Sequence, residues 1–316
     1  RADMDALPMP DAKDVPYRSR VEGACHACGH DGHTAVLLSV ARLLSERRHD
    51  LRGRVLFVFQ PAEEIVKGAA AMLADGALDV VVPDTSLALH LSSMHPTGTI
   101  SLRPGPAMAA ADSFRLVLHG RGGHAAKPND AIDPVVMAAH LINALQALVS
   151  RETDPVDPAV ISITSIHGGS AFNVIPAAVE LKGTLRTFDA STREALRHRI
   201  LTLAEAVVGG LRGHLESEWR EGSPIVVNDA ASTERVRRVA EGMASLQHVI
   251  MGDPIMGGDD MALWLQRAPG CYWFVGANGG PASAFPHHHS SFDLDEAALP
   301  IAVEVFTKAI LDALDA

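Results

Sequence analysis

Residues 112–120, "DSFRLVLHG", are where the chain changes its period. Phe114, Leu116 and Leu118 recur at every second position, the mark of a strand with one face in the core and one in water. Reading forward, a helix is expected over about 133–150. Strands follow in "AVISITSI" (159–166) and "AAVELKGTLRTF" (177–188), then a helix over about 191–211 and a strand in "HLESEWREG" (214–222). The order is β-α-β-β-α-β, the ferredoxin-like arrangement of two helices on one face of a four-stranded sheet. Residues 111–223 are therefore expected to form an inserted domain.

Reading backward, the pattern is different. "RVLFVFQ" (54–60) and "TSLALHL" (85–91) are continuous apolar runs, as expected of strands covered on both faces. Between and before them lie helical stretches. "GHTAVLLSVARLLSERRHD" (32–50) carries Val36, Leu37, Val40, Leu43 and Leu44 on one stripe, and "GAAAMLADGAL" (68–78) is a short helix stopped near Gly76. Past the insertion the α/β character returns, with a helix over about 233–245, a strand "CYWFVG" (271–276) and a closing helix over about 296–314. Residues 1–110 and 224–316 are thus expected to make one α/β domain with a mostly parallel sheet.

Composition bounds the function. The chain has 316 residues, 47% of them apolar and 21% charged, as in soluble globular proteins. Its formal charge of -11 argues against nucleic acid or an anionic membrane as partner, since both need a basic face. No apolar run approaches the roughly 20 residues of a membrane span. Three cysteines do not make a disulfide framework, so a cytoplasmic location is expected. "RADMDALPMP" (1–10) shows neither an initiator Met nor a signal pattern and reads as a strand end entering a loop. A preceding N-terminal segment is therefore expected.

The densest chemistry is "CHACGHDGH" (25–33), two cysteines, three histidines and an aspartate in nine positions. A structural zinc knuckle, a Cys-x-x-Cys redox pair and one wall of a catalytic metal site all compete for it. Cys25 and Cys28 lack the second pair that a closed zinc site needs. A redox pair leaves three other clusters unexplained: "QPAEE" (60–64) with Glu63 and Glu64, His90 at the end of a strand, and "PHHHSSFD" (286–293). In open α/β sheets such strand ends converge on the site. Singly, each cluster has a bland reading as a helix start, a packed histidine or a solvated loop. Together they fit a two-metal hydrolytic site best.

These residues, with "RADMDALP", "HACGHDGHTA", "LALHL", "GRGGHAAKP", "NVIP", "GTLRTF" and "HHHSSFDLDE", resemble the metal-dependent amidohydrolases of the hippurate hydrolase, aminoacylase and indoleacetyl-amino-acid hydrolase group. The likeness runs the whole chain in the family's order. It implies a catalytic α/β domain with an inserted lid and two divalent metals held by Cys28, His30, Glu64, His90 and His288. His288 is preferred over His287 and His289 because it stands four residues before Phe292. It further implies Glu63 as general base, His124 as stabiliser of the oxyanion, and Asn173 and Arg186 as holders of the substrate carboxylate. Asp5 would orient a ligand imidazole, with Asp3 and Asp31 of similar standing. Cys25 is expected to be a passenger, and His33 to open the following helix without touching metal.

The metals would be zinc or manganese, with cobalt or nickel admissible, because thiolate favours zinc while imidazole and carboxylate admit the others. The substrate would be an N-acyl amino acid, and a homodimer would form through the lid. A dipeptidase or carboxypeptidase on the same scaffold is the nearer alternative, and a non-catalytic acyl-amino-acid binder the more remote one. Departures from the group are Cys25 in place of a usual Met, "EEIVKGA" without the usual glycines, "GGDDM" where Glu-Asp-Phe is common, and Ser290 in place of Pro.

Overall fold

The computed structural model describes residues 1–315. It divides into two compact units, one made of Arg1–Ala107, Val226–Ile255 and the segment from Asp259 onward, the other of Met108–Ile225 with Met256–Gly258.

The first unit is built on a four-stranded sheet in the order His248–Met251, Thr99–Leu102, Gly270–Asn278, Ser86–Pro96. The two outer pairings are parallel and the central one, between Gly270–Asn278 and Thr99–Leu102, is antiparallel. The sheet is therefore mixed but mostly parallel, as expected, with one antiparallel step. The reversal has a local cause: Ser86–Pro96 turns back through Gly98, at φ 90, into Thr99–Leu102, a short hairpin-like return with no crossover helix.

Helices His30–Glu46 and Ala298–Leu314 pack together and share a core with the sheet. Val36, Leu37, Val40 and Leu44 meet Leu89, Leu91, Trp273, Val275, Val305 and Phe306 there. Leu43 falls off this stripe and is 43% exposed, because the 3.6-residue period carries it to the flank of the helix. In the run "RVLFVFQ" the ladder lies at Phe59–Gln60, which pairs in parallel with Ala2–Asp3. Val55 and Phe57 pack their side chains on the core.

In the second unit the strands lie in the order His214–Arg220, Ala110–His119, Ala178–Thr187, Ala159–His167, all antiparallel. Helices Pro134–Ala147 and Ala190–Gly210 supply Met137, Leu141, Leu145, Leu196, Ile200 and Ala204 to a core with Phe114, Leu116 and Leu118. The period-two alternation of residues 112–120 is thus the buried face of this sheet. Both helices start where a side chain caps them: Asp133 accepts from Val135 N and Val136 N ahead of Pro134, and Asp189 accepts from Thr192 N.

Candidate metal centre

Three loops and a strand bring together the side chains of the first unit that can hold metal. Cys28 and His30 stand at the entry of helix His30–Glu46, where Gly29 takes φ 82 and turns the chain into the helix. Glu63 and Glu64 follow strand Phe59–Gln60, and His90 lies inside strand Ser86–Pro96. His287–His289 follow the loop after Gly270–Asn278. Ligand atoms of Cys28, His30 and His90 lie within 4.8 Å of one another, as do those of Cys28, Glu64 and His288, and of His30, Glu63 and Glu64. These overlapping groups form one cluster, spread over more than 250 positions of sequence.

Hydrogen bonds to backbone fix the tautomers. His30 Nδ1 lies 3.0 Å from the Asp5 carbonyl oxygen, which can only accept, so Nδ1 carries the proton and Nε2 the lone pair. His90 Nδ1 likewise donates to Leu91 O at 2.7 Å, leaving its Nε2 lone pair 3.5 Å from Cys28 Sγ. His30 Nε2 and Glu64 Oε1 are buried with no hydrogen-bond partner and face each other at 3.8 Å. Leaving two such atoms unsatisfied costs about 1–3 kcal/mol each. A cation with ligand distances of about 2 Å would satisfy both. The donor set and its orphaned atoms therefore fit a divalent metal centre.

Of the three adjacent histidines, His288 has Nε2 3.3 Å from Glu64 Oε2 and a left-handed backbone at φ 65, with its N–H bonded to Ala27 O. His287 Nε2 accepts from Ser93 N, and its Nδ1 lies 3.6 Å from Cys28 Sγ. His289 accepts from Ser291 N and stacks on Phe285. Cys25 is buried with Phe292 and Ala27, and its neighbouring bridge is to Leu7.

The charges follow from burial. Burial pushes the Cys28 thiol up, and Glu64 and Glu63 add to it. Burial, then His33 and His287, push His90 well below the ordinary imidazole range. Burial and His33 also bring His287 down to about 4. Burial, and next Asp259, raise the Glu63 carboxyl. A hydrogen bond to Glu64 raises His288. A divalent cation would oppose the upward shifts of Cys28, Glu63 and His288, since its own charge would dominate the local field.

Asp5 braces the glutamates. Its two carboxylate oxygens accept from Glu63 N and Glu64 N at 3.1 Å each, and Oδ1 lies 3.5 Å from His30 Nδ1. Ala62 at φ 58 and Val66 at φ 54 wind the "AEEIV" turn so that the adjacent glutamates point differently. Gly68 closes it, because a Cβ there would stand 1.7 Å from Pro61 O.

Beneath Glu63 lies a buried polar network that sequence reasoning did not anticipate. Arg1 bonds Asp3, Asp260 and Gln60, and ion-pairs with Asp259 at 3.2 Å. Asp260 also accepts from Gln60 and Ala69 N, and Asp259 from Tyr272 OH at 2.6 Å. The one signal available was "GGDDM", two acids beside an apolar helix start, which read only as a departure from a pattern.

His124, Asn173 and Arg186 lie in the second unit. His124 sits on the two-residue strand Gly123–His124, paired with Val174–Ile175, and Asn173 O accepts from Ala125 N beside it. Arg186 is on Ala178–Thr187, where burial lowers its pKa and Asp112 opposes that shift.

The peptidase family M20/M25/M40 pattern matches residues 1–312. N-acetylcysteine deacetylase of Bacillus subtilis (strain 168) is 39% identical over 316 residues, covering 100% of this chain and 81% of that protein. Thermostable carboxypeptidase 2 of Saccharolobus solfataricus is 38% identical over 305 residues, covering 95% of this chain and 76% of that protein. Among solved structures, the YXEP protein of Bacillus subtilis, a dinuclear metal binding peptidase from the M20 family, superposes with TM-score 0.84 at 36% identity. That match covers 100% of this chain and 80% of that one. No helix among the described residues is long and apolar enough to cross a membrane.

Proposed function

The chain belongs to peptidase family M20/M25/M40 and is an enzyme of the amidohydrolase type, and from that premise we propose that it cleaves N-acyl amino acids to a carboxylate and a free amino acid. The observation that carries the reading is the cluster of Cys28, His30, Glu64, His90 and His288 around the orphaned His30 Nε2 and Glu64 Oε1. These five side chains would hold two divalent metals. When bound, such ions lower the pKa of a water and polarise an amide carbonyl.

Glu63 is the general base. It is buried beside Glu64, and its backbone N–H is anchored on Asp5. The carboxylate takes a proton as a water oxygen bonds to the carbonyl carbon. It returns that proton to the amide nitrogen as the C–N bond breaks, which yields the acid and the amine. Asp5 keeps the Glu63–Glu64 turn and the His30 ring in register with each other.

In the second unit, read as a ferredoxin-like lid, His124 stabilises the oxyanion while Asn173 and Arg186 hold the substrate carboxylate. Arg186 is half-buried and hydrogen-bonded to no carboxylate among the described residues, which leaves its guanidinium free for a bidentate partner. The lid also serves as the dimer contact; Phe172, fully exposed, and Val174 and Ile166, about half exposed, are apolar side chains in want of cover. All three cysteines are free, which suits a reducing cytoplasm.

A dipeptide presents the same amide and carboxylate, so the test is a panel. Metal-replenished enzyme is assayed on acetyl-amino acids, hippurate and dipeptides, alongside Glu63→Gln. The variant should lose on the order of 10²–10⁴ in kcat. Wild-type turnover by Glu63→Gln would remove the base assignment, and preference for dipeptides would move the substrate class.

A further inference from the structure

We propose that His33, held by Asp3, is a positioning residue that sets the His90 imidazole for metal. This rests on the metal reading of the cluster above. The geometry is a relay through one residue of the strand. Arg1 Nη1 donates to Asp3 Oδ2 at 2.8 Å, and His33 Nδ1 donates to Asp3 Oδ1 at 2.6 Å. Leu91 N donates to His33 Nε2 at 2.8 Å, and Leu91 O accepts from His90 Nδ1 at 2.7 Å.

Each step forces the next. Leu91 N–H can only donate, so His33 Nε2 must be the acceptor and Nδ1 the donor to Asp3. Both nitrogens of His33 are then occupied. Although its ring stands among those that could hold an ion, it has no lone pair left to offer one.

Strand Ser86–Pro96 is laddered on one side with Gly270–Asn278; on the other, Arg1 N donates to Leu87 O, and at Leu91 the ring of His33 stands against the strand. Leu91 is fully buried, so its N–H would otherwise be an orphan. The helix-borne imidazole takes the place of a strand partner there. It fixes the backbone whose carbonyl holds the His90 tautomer with Nε2 free. The His33 and His90 rings also touch directly, with centroids 4.4 Å apart at 71°. Carbonyl-bonded imidazoles of this kind orient metal ligands and raise their basicity; here the orienting carbonyl is itself anchored, by a second imidazole and a buried carboxylate.

The test uses the whole chain, stripped of metal and titrated with Co²⁺ while the Cys28 thiolate-to-cobalt absorption is followed. Long-range ¹⁵N–¹H spectra of the histidines are recorded on the metal-free protein. For H33L we expect roughly 10–100-fold weaker Co²⁺ binding and loss of the single Nδ1–H form of His90. H33Q, whose amide can accept from Leu91 N and donate to Asp3, should stay within a few-fold of wild type. If H33L does not fold, H33N, polar but too short to reach Leu91 N, takes its place with the same expected loss. Wild-type affinity with an unchanged His90 tautomer in H33L overturns the proposal, as does an H33Q variant as impaired as H33L. A wild-type chain that binds no Co²⁺ sinks the metal reading itself, which is a separate outcome.

Discussion

Replacing Asp5 with Asn probes the brace beneath the glutamates at nearly constant shape. The carboxylate accepts from Glu63 N and Glu64 N at 3.1 Å each. An amide keeps one acceptor and turns its NH₂ toward the other N–H. One charge-assisted hydrogen bond is lost and the second becomes neutral. A bond to a charged group contributes about 1.5–3 kcal/mol. The side chain is 18% exposed, so water recovers part of that, and about 2 kcal/mol is the expected loss in the metal-free protein at neutral pH. The His30 bond to the Asp5 carbonyl survives the change, so the fold of the site is retained. Burial would raise the Asp5 carboxyl, but the His30 ring beside it and the Glu64 and Glu63 N–H groups outweigh that and hold it below its usual range. A depressed folded pKa stabilises above the unfolded value of about 3.9 and is lost as pH falls through the folded value. Urea midpoints of wild type and D5N, taken between pH 7 and pH 3, should therefore differ fully above about pH 5 and converge below. Equal midpoints at pH 7, or a gap that persists unchanged in acid, would show that the ionised Asp5 carboxylate does not brace the turn.

Val66 is a β-branched residue at φ 54, where glycine sits without strain; V66G should raise the urea midpoint by the equivalent of about 1 kcal/mol, and no gain would mean the turn is not strained. Gly68 has the opposite constraint, since a Cβ would meet Pro61 O at 1.7 Å. G68A should shift the Glu63–Glu64 turn and weaken Co²⁺ binding about tenfold or more, and an unchanged titration would show that the turn can absorb the methyl.

The clusters of the candidate site were legible because their chemistry is carried by residue types with few bland roles in such density. Cys28, His30, Glu64, His90 and His288 stand in separate clusters of the sequence, and the structure places them in overlapping groups of three whose ligand atoms lie within 4.8 Å of one another. The antiparallel unit was legible for a related reason: Phe114, Leu116 and Leu118 keep period two, and Asp133 and Asp189 mark helix starts. What stayed hidden depends on pairing across distance. Nothing local tells that Arg1 meets Asp260, or that His33 closes a strand edge at Leu91. "RVLFVFQ" reads as a strand from its side chains, yet a ladder is a property of two segments, and the pairing of Phe59–Gln60 with Ala2–Asp3 is not written in either alone. The antiparallel step in the sheet likewise follows from the tight return at Gly98 and not from any apolar pattern.

On the proposed reading, Cys28, His30, Glu64, His90 and His288 hold a pair of divalent ions. Metal-free chain equilibrated with Zn²⁺ or Mn²⁺, freed of excess and analysed for metal, measures it directly. Two ions per chain are expected for wild type, and a clear loss for C28S and H288A. A chain that retains no metal, or variants that retain both ions, would contradict it.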